Sequence, residues 1–288
     1  MLFQQISVTS NGKVIAVAVG DDDVRFFEPE NGRQTAAAVV PFDFGGERLL
    51  INSSGHRCYS ASYEKRAVAC TDVLQAVVLW SRTDLHQIQE LSMSRDQRTL
   101  YCGLEGDTTV ALWSSTGEFR AELNPISAKY VFESPLHDLR VHDFHKALTF
   151  YAESGRVGTV RMRSFAMIAH CFSPDFFCMS ESAGNVRFFS SHSFSELWEH
   201  QPRADSHFMN LVYSGEDDVI WGMEWPYVHG GPHRFVEFRP SKKEAAELSV
   251  INVKGGIATF DSLGRAFAFD GRIFDIRTGE QIGKLQLV

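Results

Sequence analysis

The sequence predicts an all-β chain: a single β-propeller over residues 1–288, with seven four-stranded blades the best fit. Three observations predict it. Residues 91–118 read as strands separated by tight polar turns, the same order recurs along the chain, and 288 residues at roughly 40 per blade hold six to eight blades.

The pattern is clearest in residues 91–118. Leu91, Met93 and Arg95 alternate with Ser92 and Ser94, the period of a half-buried strand. Asp96-Gln97-Arg98 turns the chain, residues 99–103 form a second strand, and Glu105-Gly106-Asp107 turns it again. Residues 110–113 are a β-prone third strand ending on Trp113. Ser115-Thr116-Gly117 is the next turn, and residues 118–123 form a fourth strand. A sheet of four short strands cannot bury both of its faces, so it must stack on copies of itself. Residues 8–33, 171–193 and 260–281 repeat the order. The Trp113 slot is taken by Phe27, Trp80, Phe189, Phe238 and Ile276, with a weaker candidate in residues 158–163. From Phe27 to Ile276 the mean step is roughly 41 residues, the period of a blade.

The first blade starts with a strand at residues 3–9 and the last ends with one at 281–288, so the ring is expected to close with whole blades and no strand exchange. After a linking loop at 42–46, strands are read at 49–51, 58–63, 67–70 and 76–80, with the segment up to Trp80 as a third strand. Residues 130–133, 139–144, 147–153 and 157–164 make the weakest blade. The blade over 208–248 carries an insertion at 224–233 between its second and third strands.

Phe172-Ser173-Pro174-Asp175, the turn from Asp107 to Val110 and the aromatic closing the third strand resemble the WD-repeat class of β-propeller over most of the chain. The match is degenerate. Ser81 and Ser114 follow the two best-placed tryptophans where that class has Asp, and Gly55-His56 is a Gly-His pair of uncertain phase. The class's structural network of His and Asp is therefore not assumed. The resemblance implies a rigid ring that binds proteins through one face.

The formal net charge is −8, from 28 basic and 36 acidic residues, which disfavours a general nucleic-acid surface. There is no signal segment and no long apolar run, and a cytoplasmic location is expected. Cys58, Cys70, Cys102, Cys171 and Cys178 lie mostly inside strands, as buried thiols in a reducing compartment would; Cys171 and Cys178 flank one hairpin. No G-x-S-x-G, phosphate loop, H-E-x-x-H or C-x-x-C occurs, so no catalytic residue, cofactor or metal is assigned.

Two stretches are candidates for partner binding. Trp225, Tyr227, His229 and His233 share a loop stiffened by two prolines and two glycines, where exposed aromatics suit an interface anchor. Asp21, Asp22 and Asp23 form an acidic turn on the same expected face, able to steer a basic partner. His137, His142 and His145, with Asp138 and Asp143, are read as polar residues at a strand end, because their spacing splits them between faces. Arg25, Arg161 and Arg187 each precede a closing position and are read as structural, pairing with turn carboxylates. The function expected is a non-enzymatic, monomeric interaction module, a scaffold or an inhibitor or immunity-type binder of a protein or peptide. The alternative is a metal-dependent hydrolase or lactonase in the central channel, its ligands scattered over several blades.

Overall fold

Runs of four to nine apolar or alternating residues, broken by Gly, Asp, Asn and Ser, leave the chain antiparallel hairpins as its means of satisfying backbone groups. The computed structural model describes residues 4–9, 11–20, 22–43, 48–94, 96–105, 108–122, 140–144, 147–152, 155–164, 167–182, 184–226 and 231–286.

These residues form seven antiparallel meanders. Blade 1 is β1 (Gln5–Val8), β2 (Ile15–Val19), β3 (Asp23–Phe27) and β4 (Gln34–Val39). Blade 2 is β5 (Arg48–Ile51), β6 (Arg57–Ser62), β7 (Ala67–Asp72) and β8 (Val77–Arg82). Blade 3 is β9 (Ile88–Met93), β10 (Thr99–Leu104), β11 (Thr108–Trp113) and β12 (Phe119–Glu122). Blade 4 has three described strands, β13 (Arg140–Phe144), β14 (Ala147–Ala152) and β15 (Gly155–Arg161). Blade 5 is β16 (Met167–Phe172), β17 (Phe176–Glu181), β18 (Val186–Ser190) and β19 (Glu196–His200). Blade 6 is β20 (Ser206–Ser214), β21 (Val219–Pro226), β22 (His233–Arg239) and β23 (Glu244–Ile251). Blade 7 is β24 (Ile257–Phe260), β25 (Arg265–Ala268), β26 (Arg272–Asp275) and β27 (Gln281–Lys284). The expected strand at 130–133 lies outside the described residues; the other three strands expected of that blade are present.

The first strand of each blade is innermost, because β1 lies beside both β5 and β24, β5 beside β9, and β20 beside β16 and β24. Both faces of a sheet are buried by its neighbours. Phe177 and Met179 of β17 pack with Leu148, Phe150 and Val160 of blade 4, while Cys178 between them packs with Phe208 and Phe238 of blade 6. Blades 7 and 1 close the ring through Phe267, Ile273 and Leu285 against Ile6, Ile15, Val17 and Phe27. No described strand is exchanged there. The Gln286 N–H donates to the Gly32 carbonyl at 2.7 Å, and Arg265 donates to the Gly12 carbonyl.

In all six four-stranded sheets the pairing of third and fourth strands slips by one residue. The bulged residues are Thr35, Leu79, Arg120, Leu197, Leu248 and Ile282. A bulge twists an edge strand and breaks its template for further pairing. It also changes side-chain parity. In β8, Val78 packs toward blade 1 and Trp80 toward blade 3, although two residues apart in a regular strand would share a face.

Trp80 therefore corrects one expectation: it lies in the fourth strand, not the third. β7 and β8 are neighbouring six-residue strands that each open on four apolar residues and end on two polar ones, so the sequence pattern alone does not order them. The Trp80 ring covers the turn of blade 3 at Gly117, whose φ is +72° and where an added Cβ would lie 2.5 Å from the indole. The Ser114 carbonyl receives three donors from blade 2: Arg57 Nη1 at 3.1 Å, Trp80 Nε1 at 3.2 Å and the Tyr59 hydroxyl at 3.3 Å.

Gly117→Ala combines a left-handed backbone with that clash, and we expect it to cost about 1–3 kcal/mol in urea unfolding. In the Trp80→Ala background the clash is gone, so the cost of Gly117→Ala should fall to the backbone part alone, about 1 kcal/mol.

Candidate binding face

A meander that always runs from inside to outside places its second turn, and every blade-to-blade connection, on one face of the ring. The other two turns of each blade lie on the opposite face. The two candidate stretches, after β2 and after β21, thus share a face, on blades 1 and 6.

The acidic turn is partly committed. Asp22 is exposed, but Asp23 accepts from Arg25 Nε at 2.8 Å, and Arg25 reaches Gln34 Oε1 at 3.3 Å. Asp21 lies outside the described residues.

The insertion is shorter than the sequence implies, because β21 runs through Glu224 and Trp225 to Pro226 and β22 begins at His233. Tyr227 and His229 lie outside the described residues. Trp225 is half-buried, packed against the core between blades 6 and 7, and meets His233 edge-to-face with ring centroids 4.6 Å apart. His233 is only 2% exposed. Its Nε2 accepts from the Ile257 N–H at 3.2 Å, which fixes the neutral tautomer with the proton on Nδ1. Burial lowers its pKa to about 4. The exposure expected of Trp225 and His233 is thus corrected: an apolar wall and the close backbone of Gly256, 3.1 Å from His233 Nε2 at its Cβ position, draw them inward as a brace beneath the turn.

Glu224 was part of the same expected loop and is instead a buried carboxylate. It accepts from the Arg203 N–H at 2.7 Å and from the Ser206 hydroxyl, and pairs with Arg234. Glu181 holds the same place in blade 5, sixth in its strand. It accepts the N–H groups of Arg163 at 2.7 Å and Ser164 at 2.8 Å, and pairs with Arg187 at 2.6 Å. Each carboxylate holds the backbone that enters its blade on this face. A Glu ending a buried strand, with an Arg in the strand that follows, was the signal in the sequence. The structural reading of Arg25 and Arg187 agrees with these pairs, and the Arg161 carbonyl accepts from Arg187 at 2.8 Å.

Cys171 and Cys178 are register partners across their hairpin and both are free and buried. Burial, then a side-chain contact with Cys171 that favours the protonated form, holds the Cys178 thiol well above the ordinary range. Of the histidine cluster, His137 and His145 lie outside the described residues and His142 falls in β13. Among the described residues no three His, Cys, Asp or Glu side chains come together in a way that could hold a metal. Among the described residues no helix is long and apolar enough to cross a membrane.

No protein-family model matches the chain, and no curated protein matches its sequence. Solved structures match its fold. The structure of U3-55K aligns at 12% identity over 93% of this chain and 88% of that one, with a TM-score of 0.70. The WD40 repeats of RRP9 align at 13% identity over 93% and 87%, again with a TM-score of 0.70. A chain of the mitotic checkpoint complex aligns at 14% identity over 93% and 81%, with a TM-score of 0.68. The architecture is that of a WD-repeat-like propeller, and at these identities the likeness is one of fold.

Removing Glu224 leaves Arg234 with only the 3.4 Å contact to Glu247. Glu224→Ala should therefore cost about 3–5 kcal/mol in urea unfolding, whereas replacing the exposed Glu30 should leave the midpoint unchanged. A histidine that binds its proton near pH 4 when folded and near 6.5 when unfolded lets the unfolded chain take up the extra proton between those values. Stability should thus fall as pH drops from 6.5 toward 4, and His233→Gln should flatten part of that slope in pH-dependent melting.

Proposed function

We propose that this chain is a non-enzymatic protein-binding module that captures its partner on the face carrying the turns after β2 and β21. The observation that carries the reading is the placement of buried ties under an exposed surface. Glu181, Glu224 and the Trp225–His233 pair hold the backbone of that face rigid, so its turn tips can vary in sequence without loss of the frame. The complex named among the structural neighbours supports a protein partner by analogy of fold.

The net charge of −8 and the exposed Asp22 support a partner of basic character, and an inhibitor or immunity-type role, masking a basic surface, is the specific form we favour. The five buried thiols support a reducing, cytoplasmic setting. Asp22, Tyr227 and His229 are the side chains assigned to contact, while Trp225 and His233 brace the turn that carries two of them.

Affinity capture from lysate, identification of the partner and titration with the purified partner test this. Asp22→Lys combined with Tyr227→Ala should weaken affinity at least about tenfold at an unchanged melting temperature. Glu216→Lys, on the opposite face, should not. The reverse result would move the site to the other face.

A further inference from the structure

Side chains two residues apart on a strand share a face, and this chain uses that spacing to neutralise its arginines. Arg25 pairs with Asp23 at 2.8 Å, Arg239 with Glu237 at 2.7 Å and Arg272 with Asp270 at 2.7 Å, and Arg82 pairs with Asp84. Strand β15, Gly-Arg-Val-Gly-Thr-Val-Arg, breaks the pattern. Two residues from Arg156 stand Ser154 and Gly158, and two from Arg161 stand Thr159 and Arg163. Both arginines are exposed, and among the described residues neither side chain has an ion pair or a hydrogen bond. Every other described arginine inside a strand has a partner. Arg187 and Arg234 hold a buried glutamate, Arg57 donates to a carbonyl at 3.1 Å, and Arg120 lies over the Trp113 ring at 4.4 Å.

The register puts the two free cations on one side. Arg156 lies opposite Tyr151, Thr159 opposite Thr149 and Arg161 opposite Ala147, alternate positions of β14. Leu148, Phe150 and Val160 take the other side and pack toward blade 5. The pairing slips at Val157, as the pairing of third and fourth strands does in the other blades, which marks β15 as the outer strand of blade 4. Four register steps at about 3.3 Å each set Arg156 and Arg161 about 13 Å apart. Between them stand Thr159, its hydroxyl 3.3 Å from that of Thr149, and Val157, which is 43% exposed.

We propose that β15 is a docking strip for an extended acidic segment of another protein, whose carboxylates take the places left empty beside Arg156 and Arg161. The spacing favours this class of partner. Upright on the strand, the two guanidinium groups suit two anions about 13 Å apart, and an extended chain alongside presents its residues i and i+4 at that distance on one face. Each planar guanidinium can take a carboxylate through two parallel N–H donors. A chain of net charge −8 repels an acidic segment over most of its surface. β4 and β27 also lack acidic residues, but β4 carries no charge and β27 holds a single cation, Lys284. The bulge at Val157 interrupts the free edge, so the segment is held by side chains and not by extending the sheet. The strip lies on the rim, apart from the face proposed above, and the two readings stand or fall separately.

Fluorescence anisotropy of the purified full chain with a labelled, end-blocked peptide of alternating glutamate and threonine tests the proposal. The wild type should bind it at least about tenfold more tightly than the glutamine–threonine counterpart, and added salt should weaken the binding. Arg156→Gln with Arg161→Gln should weaken it about tenfold at an unchanged melting temperature. Arg66→Gln with Arg98→Gln removes the same charge from two exposed turn positions and should leave the affinity within about twofold. A wild type that does not bind the acidic peptide overturns the proposal, as does binding that survives the β15 variant or falls equally in the turn variant. Tighter binding of single-stranded oligothymidylate, lost on the same β15 substitutions, would assign the strip to nucleic acid and overturn it equally.

Discussion

The structure depends on one constraint: none of its sheets can hide its own apolar faces, so each must be covered by a sheet on either side. This explains why the second strands do not alternate. In β2 all five residues are buried and in β10 all six are, because both faces meet a neighbouring blade. Burial then falls outward, and β12 and β27 have no buried position. The hydrophobic effect is non-directional, so this stacking supplies cohesion without fixing how far each blade is turned against the next.

That angle is fixed by polar contacts at the blade boundaries. Where the WD-repeat pattern has Asp after Trp, this chain has Ser114, and its carbonyl gathers three donors from blade 2 while its hydroxyl donates to the Gln97 carbonyl at 2.7 Å. In blades 5 and 6 a carboxylate held by an ion pair inside the blade, Glu181 with Arg187 and Glu224 with Arg234, receives the N–H groups of the connection from the blade before. A buried ion pair adds little net stability, since desolvation offsets most of the attraction. Glu181 and Glu224 also accept backbone N–H groups, so they fix the path of the entering chain. Different blades thus use different chemistry for one geometric task, which is why the dipeptide signature could be lost without losing the ring.

Much of the fold was legible in the sequence because strand alternation and turn residues are local signals. Blade 3, the closure by whole blades and the place of the insertion all follow from them. Trp80 was misplaced for a physical reason: a bulge shifts parity, and parity is the signal that phases a strand. Glu224 and His233 were misread because a polar residue in a Pro- and Gly-rich stretch looks exposed. Their burial depends on partners remote in sequence, Arg203 and Ile257, that no local pattern reveals. The two candidate stretches were therefore legible as turns between strands, and not as sets of contacts.

The bulges connect these points to the surface. An edge strand must be blunted, and proteins commonly do it with charge. Here the slip in pairing is present in every four-stranded blade whatever residue occupies it, from Thr35 and Arg120 to Leu79 and Ile282. Because backbone geometry supplies the protection, the side chain at that site is free to be apolar. An edge strand with no charge, as β4 is, can then persist without the sheet recruiting stray strands, and the same separation of frame from surface holds at the turn tips. The ring's stability lies in the contacts between blades, so its rim and its turn tips can vary in sequence without loss of the frame.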